Sequence, residues 1–574
     1  MTNKELANVF TLIGDLLEIK GEVVYKTIAY RKAADSLSNL GRDVTEVWKQ
    51  GGQKALLEIP GVGKAIAEKI DELLSTGKLE YLEKLQMELP PELATLLQIP
   101  DLGPKKVGMF YRELGIKTIE QLKEAAEKEQ LQGLAGMGPK SEAKILEGIV
   151  SLGRRSGRTP LGDAWPVAQE LLAMLKAVPG VVAAEAAGSL RRMRPTVGDL
   201  DLLAAAKDPA AVVEAFTGAP NVARVLGKGP IKSSVEYHSG MRAQLWVHPP
   251  ERFGTALQYA TGSKDHNVRL REMALDMGLS LSDQAFIKED GSEILCATEE
   301  EVYKLLGLPW IAPELREDRG EVQAAKAGTL PKLIEVKDIK AELHSHSTWS
   351  DGKASILMMA EAAKAHGYKV LAVTDHSHSL GIGNGLTIER LQEQRKEIEA
   401  ARKKLGDSFL LLHGTEMEIR ADATLDFPDE ILEWLDIVVA SLHVSMRQPR
   451  EQATKRLLAA IHNPHVDIIA HPTNRLLPDR EGADLDMDAV LKAAAETGTA
   501  LEINANPRRL DLEDIYARRA VEMGIKLVID TDAHHPSHMD FLPFGVATAR
   551  RGWVTAKDVI NTWTPKQIQA WLGR

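Results

Sequence analysis

The spacing of apolar and polar residues divides the chain into segments with different expected folds. Residues 1–155 show the apolar spacing of short amphipathic helices, interrupted by Gly and Pro. From about residue 160, helical patterns alternate with β-rich runs such as Gly198–Ala205. Towards the other end, β-rich runs alternate with helical patterns over Ile388–Lys404 and Met487–Thr497. This alternation predicts β/α units around a largely parallel sheet or barrel.

Length and composition narrow the class of protein. A chain of 574 residues is too long for one core, so three or four domains are expected. The single cysteine, Cys296, excludes a disulfide framework and a cysteine-based zinc site, and we expect a reducing, cytoplasmic compartment. Residues 1–20 do not read as a signal peptide, and no apolar run reaches the roughly 18 residues of a membrane helix. The net charge of −11 argues mildly against a protein that coats nucleic acid, although local basic patches still bind phosphate.

Three similar glycine-containing turns recur in the helical part, beginning at Ile59, Ile99 and Leu134. Glycine permits a tight link between helices, and the exposed N–H groups at the next helix can hold a phosphate. One such turn is often merely structural, but three within 80 residues resemble helix-hairpin-helix motifs, which clamp DNA without reading its sequence. In the second turn Asp101 replaces the first glycine, and its carboxylate repels phosphate. We therefore predict DNA contacts from Gly61, Gly63, Lys64, Gly136 and Gly138.

Residues 56–85 resemble the lyase domain of vertebrate DNA polymerase beta, chiefly through Ile59–Gly63 and Ala67–Glu72. The resemblance aligns Lys69 with the Schiff-base lysine, and Lys26 and Tyr30 with residues that hold the 5′-phosphate. A lysine with a depressed pKa attacks a sugar aldehyde as a free amine. Two interpretations stay open: a 5′-deoxyribose-phosphate lyase, or a surface lysine on an ordinary helix.

A second constellation combines Gly188-Ser189 with Asp199 and Asp201, ten residues further on. Alternate residues of a strand share one face, so the two aspartates can present carboxylates to Mg²⁺ or Mn²⁺. The N–H groups of a helix that opens at Gly188-Ser189, with Arg192, suit a triphosphate. Together these features resemble the nucleotidyltransferase palm of family X DNA polymerases. That resemblance implies that the following segment contacts the incoming nucleotide and the minor groove through Tyr259, Gly262, Asn267 and Arg271.

The palm departs from the family at its third carboxylate. The family places an aspartate in the strand that follows a Lys-Ser-Ser run, here Lys232–Ser234, whereas this chain has Gln244. Glutamine is neutral and cannot accept a proton, and losing general-base help alone costs on the order of 10²- to 10⁴-fold in rate. Glu236 is the nearest spare carboxylate. We predict a core that binds gapped or nicked DNA and a dNTP yet polymerises poorly; the alternative is a polymerase that is active despite Gln244.

Histidines and carboxylates recur at metal-ligand spacing through the last 240 or so residues, mostly where apolar runs end. Aspartate and glutamate are rarely buried unpaired, so their convergence predicts a polynuclear metal site and a hydrolase. The pattern comprises His344-Ser345-His346, Asp351, Asp375-His376, Glu416, Ser441-Leu442-His443, Ala470-His471-Pro472 and Asp532-Ala533-His534.

These motifs resemble the PHP (polymerase and histidinol phosphatase) domain as it is fused to bacterial family X polymerases. The resemblance implies a distorted (β/α)₇ barrel with up to three metal ions, for which imidazole and carboxylate donors without a thiolate favour Mn²⁺ or Zn²⁺. It also implies a 3′→5′ exonuclease. The nine ligands that it implies are His344, His346, Asp351, His376, Glu416, His443, His471, Asp532 and His534.

The sequence therefore predicts a multidomain DNA repair protein, acting as a monomer in the gap-handling branch of base excision repair. It combines a helical helix-hairpin-helix region, an α+β nucleotidyltransferase palm with a thumb-like subdomain, and a distorted (β/α)₇ PHP barrel. Two other classes stay open: a phosphatase of small phosphate esters, and a non-catalytic scaffold. The expected boundaries are a lyase-like domain 1–85, a DNA-binding subdomain 86–158, a palm 159–250, a nucleotide-contacting subdomain 251–316, a linker 317–338 and a metallohydrolase 339–574.

Overall fold

The computed structural model describes residues 1–99, 102–154 and 157–573. Asp101, which we expected to weaken the second glycine-containing turn, lies outside the described residues. The chain divides into two compact units, Met1–Gly157 and Arg158–Arg574. Within the described ranges, no helix is both long enough and apolar enough to cross a membrane.

The first unit is built from helices whose apolar stripes meet in one core. In α1 the apolar residues Leu6, Phe10, Ile13 and Leu17 recur three or four positions apart and are buried. A capping box formed by the residues around Thr2 begins this helix. The helices of the unit are α1 (Asn3–Lys20), α2 (Val24–Ser38), α3 (Val44–Leu56), α4 (Lys64–Thr76), α5 (Glu80–Glu88), α6 (Leu93–Leu96), α7 (Pro104–Leu114), α8 (Ile119–Glu127) and α9 (Pro139–Arg154).

The second unit begins with the predicted palm, an α+β subdomain around a five-stranded sheet of order β2-β4-β7-β6-β5. Strands β4 and β7 are parallel, and the other neighbours are antiparallel. The interior strand β4, between β2 and β7, is buried on both faces: Leu202 packs with the core under α10 and α12, and Leu203 packs with Phe253 on the opposite side. The elements are β1 (Thr159–Pro160), α10 (Leu161–Lys176), β2 (Val181–Ala186), α11 (Gly188–Arg191), β3 (Thr196–Val197), β4 (Leu200–Ala206), α12 (Ala210–Thr217), β5 (Val222–Lys228), β6 (Lys232–Tyr237) and β7 (Arg242–His248).

A thumb-like subdomain follows, with a three-stranded antiparallel sheet and its own apolar core. Residues 317–338, which the sequence suggested as a linker, include a helix whose Val322 and Ala325 pack into that core. The two residues lie three positions apart and so share one helix face, which explains why this charged segment packs. The elements are α13 (Phe253–Thr261), α14 (Lys264–Asp276), β8 (Leu279–Leu281), β9 (Phe286–Lys288), β10 (Glu293–Ile294), α15 (Glu299–Leu305) and α16 (Glu321–Ala327).

The last subdomain is a seven-stranded parallel barrel whose strands follow one another in chain order. A parallel bridge between Ser345 and Ala533 joins the ends of the first and last strands. Alternate residues face opposite sides: Val370 and Ala372 pack in one core, and Leu371 and Val373 pack in another beneath the helices. The elements are β11 (Ala341–Glu342), α17 (Ile356–Ala365), β12 (Val370–Val373), α18 (Ile388–Leu405), β13 (Leu410–Glu418), α19 (Asp429–Trp434), β14 (Ile437–Ser441), α20 (Arg450–Ile461), β15 (Ile468–Ile469), α21 (Met487–Thr497), β16 (Ala500–Asn504), α22 (Asp514–Glu522), β17 (Leu527–Asp530), α23 (Leu542–Arg551) and α24 (Pro565–Trp571).

Candidate functional sites

The carboxyl ends of the barrel strands bring the nine predicted metal ligands together. Because parallel strands in a barrel all end on one side, side chains just beyond their ends converge there. His344 and His346 follow β11, His376 follows β12, and Glu416 lies near the end of β13. The remaining ligands follow later strands or lie in the loop after β11: His443, His471, Asp532, His534 and Asp351.

Within this cluster, the donor atoms form three overlapping groups, each spanning at most 4.8 Å. Glu416 is shared by two of them: its Oε2 lies 3.4 Å from His346 Nε2 and 2.9 Å from His376 Nδ1. His471 joins through its Nε2, 2.9 Å from Glu416 Oε1. The groups are His344, His346, Glu416 and Asp532; His346, Asp351, His376 and His534; and His376, Glu416 and His443.

The protonation and bonding of these donors fit divalent cations. Among the described residues, His346 Nδ1, Glu416 Oε2 and Asp532 Oδ1 are buried and make no well-aligned hydrogen bond, an arrangement that is costly unless an ion satisfies them. Burial and the nearby imidazoles lower the pKa of His346 to about 3, which keeps its ring in the neutral, metal-binding form. Burial opposes the charge of Glu416, but the surrounding histidines hold its pKa well below the usual value. The cluster therefore carries carboxylate charge at its centre.

A layer of carboxylates behind the ligands orients their imidazoles. Glu502 Oε1 lies 2.7 Å from His344 Nδ1, and its other oxygen accepts the backbone N–H of His471 at 2.6 Å. Glu418 Oε2 lies 3.0 Å from His443 Nδ1. Such partners fix the ring orientation of ligating histidines. Neither role was predicted from the sequence. Glu418 lies two residues after Glu416 on the same face of β13, and this two-residue spacing could have indicated its position near the cluster.

Asp375, next to the predicted ligand His376, has a different role from the predicted ligands. Its carboxylate accepts hydrogen bonds from the Ser347 N–H at 2.8 Å and hydroxyl at 2.6 Å, and from Gln394 Nε2 at 2.5 Å. Burial raises the pKa of Asp375, and the hydrogen bonds from Ser347 oppose that shift. Asp375 thus ties the loop after β11 to the loop after β12, and holds in place the segments that carry the ligands.

The two palm aspartates lie at the start of β4, beside the glycine that opens α11. Gly188 has a φ of +58°, and a Cβ at this position would stand only 2.0 Å from Asp201 Oδ2. Glycine is therefore required here by both backbone and space. Burial, together with the charge of Asp199, raises the pKa of Asp201 to about 7. Two acidic side chains whose charges interact in this way form a site that favours a cation.

Gln244 lies beside this pair. Its strand β7 pairs in parallel with β4, and Gln244 stands opposite Asp201 in the register. Its Nε2 donates a hydrogen bond to Asp199 Oδ2 at 2.6 Å. Glu236, the nearest spare carboxylate, is fully buried and lies 3.4 Å from the guanidinium groups of both Arg224 and Arg242.

Arg192, predicted to bind nucleotide, is held by groups around the same edge. Its Nη1 donates to the Thr261 carbonyl at 2.6 Å, and its Nε donates to Glu317 Oε1 at 3.1 Å. Gly262, with a φ of +68°, lies against that guanidinium, since a Cβ there would be 3.1 Å from Arg192 Nη1. Ser189 lies in α11, two residues after the N-cap residue Ala187.

The other residues expected to meet the nucleotide form a connected set on α13 and α14. Asn267 Nδ2 donates to the Tyr259 carbonyl at 2.8 Å, and Gln258 Nε2 donates to Asn267 Oδ1 at 2.8 Å. The Arg271 guanidinium lies 5.2 Å from the centre of the Tyr259 ring, which is 39% exposed. A half-exposed aromatic ring with a cation over it suits contact with a base or sugar.

In the first unit, Lys69 and Tyr30 both meet Tyr81. Lys69 Nζ lies 4.7 Å from the centre of the Tyr81 ring and 3.2 Å from the Ala65 carbonyl oxygen. Tyr30 is buried and stacks on Phe10 and Tyr81, with ring centroids 6.1 and 6.2 Å apart. Burial raises the pKa of Tyr30. Lys26, the other residue expected to hold a 5′-phosphate, lies 3.4 Å from Glu22.

The two favoured glycine-containing turns have the geometry that a phosphate contact needs. Gly61 has a φ of +81°, and Gly63 caps α4 with Lys64 as its exposed first residue. In the later turn Gly136 has a φ of +73°, and Gly138 directly precedes α9. Both turns leave the first N–H groups of the next helix without intrahelical partners.

Family models match most of the chain. Residues 1–79 match a helix-hairpin-helix domain, 93–150 a SAM-like helix-hairpin-helix tandem, 256–317 the DNA polymerase beta thumb and 342–506 the PHP domain. Together with the seven-stranded barrel, these matches define a family X DNA polymerase with a carboxyl-terminal PHP domain, which confirms the predicted fold class.

The chain belongs to the bacterial PolX family. It is 42% identical over 579 aligned residues to the DNA polymerase/3′-5′ exonuclease PolX of Bacillus subtilis (strain 168), with 100% of both chains covered. A probable phosphatase from Thermoanaerobacter sp. (strain X514) is 32% identical over 38% of this chain and 89% of its own length. DNA polymerase lambda of Rattus norvegicus is 27% identical over 51% of this chain and 52% of its own length.

Proposed function

We propose that this protein acts in DNA repair as a 3′→5′ exonuclease of gapped or nicked DNA, with a polymerase core that binds the gap and a dNTP but extends the primer poorly. The observation that carries the proposal is the contrast between its two acidic sites. The barrel brings all nine expected donors together, whereas the palm has an amide, Gln244, bonded to one of its two aspartates.

For the exonuclease, the donor set suits Mn²⁺ or Zn²⁺, which at such a site activate water and neutralise a phosphodiester during attack. The chain's own residues orient the imidazoles of the site and bind the DNA. Glu502 and Glu418 hold the rings of His344 and His443 in the orientation that a metal requires. Arg509, 3.5 Å from Asp532 and mostly buried, lies where it can bind a phosphate of the DNA next to the cluster.

In the palm, the charge of the site and the acceptor for a proton both differ from what polymerase chemistry needs. Asp199 and Asp201 supply two negative charges, and Gln244 adds none. The Gln244 amide also occupies one oxygen of Asp199 that would otherwise be open to a cation. Glutamine cannot accept the proton of a primer 3′-hydroxyl, and Glu236 is committed to two arginines. The family's polymerase chemistry therefore lacks one participant in this chain.

The test of the exonuclease is the degradation of 5′-labelled DNA in Mn²⁺ by wild type and by His344→Ala. We expect shortening from the 3′ end that the variant loses. A matched control is His366→Ala, a half-buried histidine outside the cluster that contacts Asp540, which should retain the activity. Absence of metal-dependent cleavage by wild type would end the exonuclease proposal.

A second candidate is hydrolysis of small phosphate esters, favoured by the probable phosphatases that match 38% and 34% of this chain. The same preparation, tested on p-nitrophenyl phosphate and on DNA, separates the two. We expect the DNA to be the better substrate, because only the polymer can engage the glycine-containing turns. Efficient ester hydrolysis with no DNA cleavage would favour the phosphatase.

We also propose that Lys69 forms a Schiff base with an abasic sugar. Support comes from its neighbourhood: a lysine beside the ring face of Tyr81, in a segment that matches a helix-hairpin-helix domain. The contact with the ring holds the Lys69 ammonium group in one position, and among the described residues no ion pair with a carboxylate is found for it.

A further inference from the structure

The palm and the barrel pack directly against each other within the second unit. Its apolar part joins α10 to the loop after β16 and to α23: Trp165 meets Phe544 edge-on with ring centroids 6.3 Å apart. Leu510, from the barrel, is fully buried in the palm core. Gly162 lies against Pro507 so closely that a Cβ would be 2.6 Å from the proline side chain. The two subdomains are therefore packed together and not merely tethered.

Charged side chains extend this interface to Arg192, the palm residue expected to bind the triphosphate. Arg551, the last residue of α23, is buried, and its Nη1 bridges the Arg192 carbonyl oxygen at 2.8 Å and Glu317 Oε1 at 3.0 Å. Its Nη2 donates to Asp514 Oδ2 at 2.8 Å. Glu317 Oε1 in turn accepts from Arg192 Nε at 3.1 Å. One barrel arginine thus holds both the backbone of Arg192 and the carboxylate that orients its guanidinium.

We propose that Arg551 of the barrel is a positioning residue for the triphosphate site of the palm, acting through Glu317 on Arg192. The inference rests on the proposed function, in which Arg192 binds the triphosphate of a dNTP. Arg192 is fixed at three points: its carbonyl by Arg551, its Nε by Glu317, and its Nη1 by the Thr261 carbonyl. A guanidinium fixed in this way meets a phosphate without first losing rotamer freedom.

Among the surrounding charges, Arg551 has the largest effect on the ionisation of Glu317. Burial would raise the pKa of Glu317, but Arg551 and then Arg192 lower it to about 2, so the carboxylate stays charged. Arg194 lies farther from Glu317, at 3.6 Å. Removing Arg551 leaves Glu317 and Asp514 buried with fewer cations and frees the Arg192 carbonyl. Arg192 then samples orientations that do not face the nucleotide.

The experiment measures the Kd of the correct dNTP for the protein bound to a one-nucleotide gap, from the fluorescence of a 2-aminopurine template base. A dideoxy primer end blocks extension, phosphorothioate linkages resist the exonuclease, and Ca²⁺ replaces the catalytic metal. We expect Arg551→Met to raise this Kd about tenfold, the effect of losing one charged hydrogen bond. The affinity for gapped DNA without dNTP should stay at the wild-type value.

The matched control is Arg550→Met. Arg550 precedes Arg551 on α23 and also bridges subdomains, donating to Glu314 Oε1 at 2.7 Å and to the Ile334 carbonyl at 3.0 Å, but it does not reach Arg192. This variant should bind dNTP like wild type. Both variants should retain Mn²⁺-dependent exonuclease activity, which reports on the fold.

A double-mutant cycle separates positioning from a general structural effect. In an Arg192→Ala background, Arg551→Met should raise the Kd no further, because the group through which it acts is gone. Additive effects, or an unchanged Kd in Arg551→Met, would overturn the proposal. If Arg551→Met fails to fold, Glu317→Gln takes its place, with the same tenfold weakening expected and an unchanged Kd counting against the proposal. Wild type that binds DNA but no dNTP would overturn the nucleotide site itself, and this coupling with it.

Discussion

Replacing Gln244 with Asp is the perturbation that addresses the palm most directly. Gln244 stands opposite Asp201 in the sheet and donates to Asp199 at 2.6 Å. The substitution removes this donor and adds a third carboxylate to the same face. Because general-base help contributes about 10²- to 10⁴-fold, we expect the rate of gap filling to rise by at least about 10².

The same change should make stability depend on metal. Without a cation, like charges about 4 Å apart repel by about 4 kcal/mol at an effective dielectric constant of about 20. The lost hydrogen bond to a charged acceptor is worth about 1.5–3 kcal/mol. Gln244→Asp should therefore melt below wild type in EDTA, and Mg²⁺ or Mn²⁺ should raise its Tm more than that of wild type.

The assay is single-turnover filling of a one-nucleotide gap, with phosphorothioate linkages protecting the primer from the exonuclease. Gln244→Asn is the matched control, since asparagine has the size of aspartate without its charge. It should extend the primer no faster than wild type. Equal rates for Gln244→Asp and Gln244→Asn would refute the reasoning, as would wild-type filling as fast as that of Gln244→Asp.

Three further predictions concern other residues. Glu502→Gln should weaken Mn²⁺ binding about 10- to 100-fold, measured by titration calorimetry, because His344 loses its charged partner; unchanged affinity would contradict the orienting role. Lys69→Ala should abolish borohydride trapping of an abasic-site DNA, whereas Lys84→Ala, at an exposed lysine of α5 that pairs with Glu80, should leave it intact; trapping that survives in Lys69→Ala would show that another amine reacts. Since the pKa of Glu317 falls from 4.5 to about 2 on folding, its charge stabilises the fold above about pH 4.5 and this contribution is lost as the pH falls towards 2. Urea unfolding at about pH 5 and pH 3.5 should thus show a larger loss of stability for wild type than for Glu317→Gln, and parallel losses would contradict it.

The barrel and the convergence of its candidate ligands could be predicted because strand ends impose simple rules. In a parallel barrel, residues just beyond each strand reach the same face, so the spacing of His344, His376 and Asp532 from their strands already implies convergence. The sheet periodicity likewise indicated the palm strand β4. The packing of residues 317–338 was harder to see, because charged residues outnumber the few apolar ones that anchor α16.

The groups that the sequence did not reveal are those defined by long-range contacts. Arg551 lies 359 positions from Arg192, and no local pattern links a helix end in the barrel to a turn in the palm. Tyr30 was expected to hold a phosphate, yet it stacks on Tyr81, a partner set by the packing of α2 against α5. Tertiary packing, and not residue type, decides such roles.

The most direct test of the account is one reaction that offers both activities at once. A 5′-labelled primer in a one-nucleotide gap is incubated with the full-length protein, Mn²⁺ and the correct dNTP, and the primer length is followed on a gel. The account predicts that the primer shortens from its 3′ end, and that His344→Ala leaves its length nearly unchanged. Rapid extension by one nucleotide, with no shortening, would contradict it.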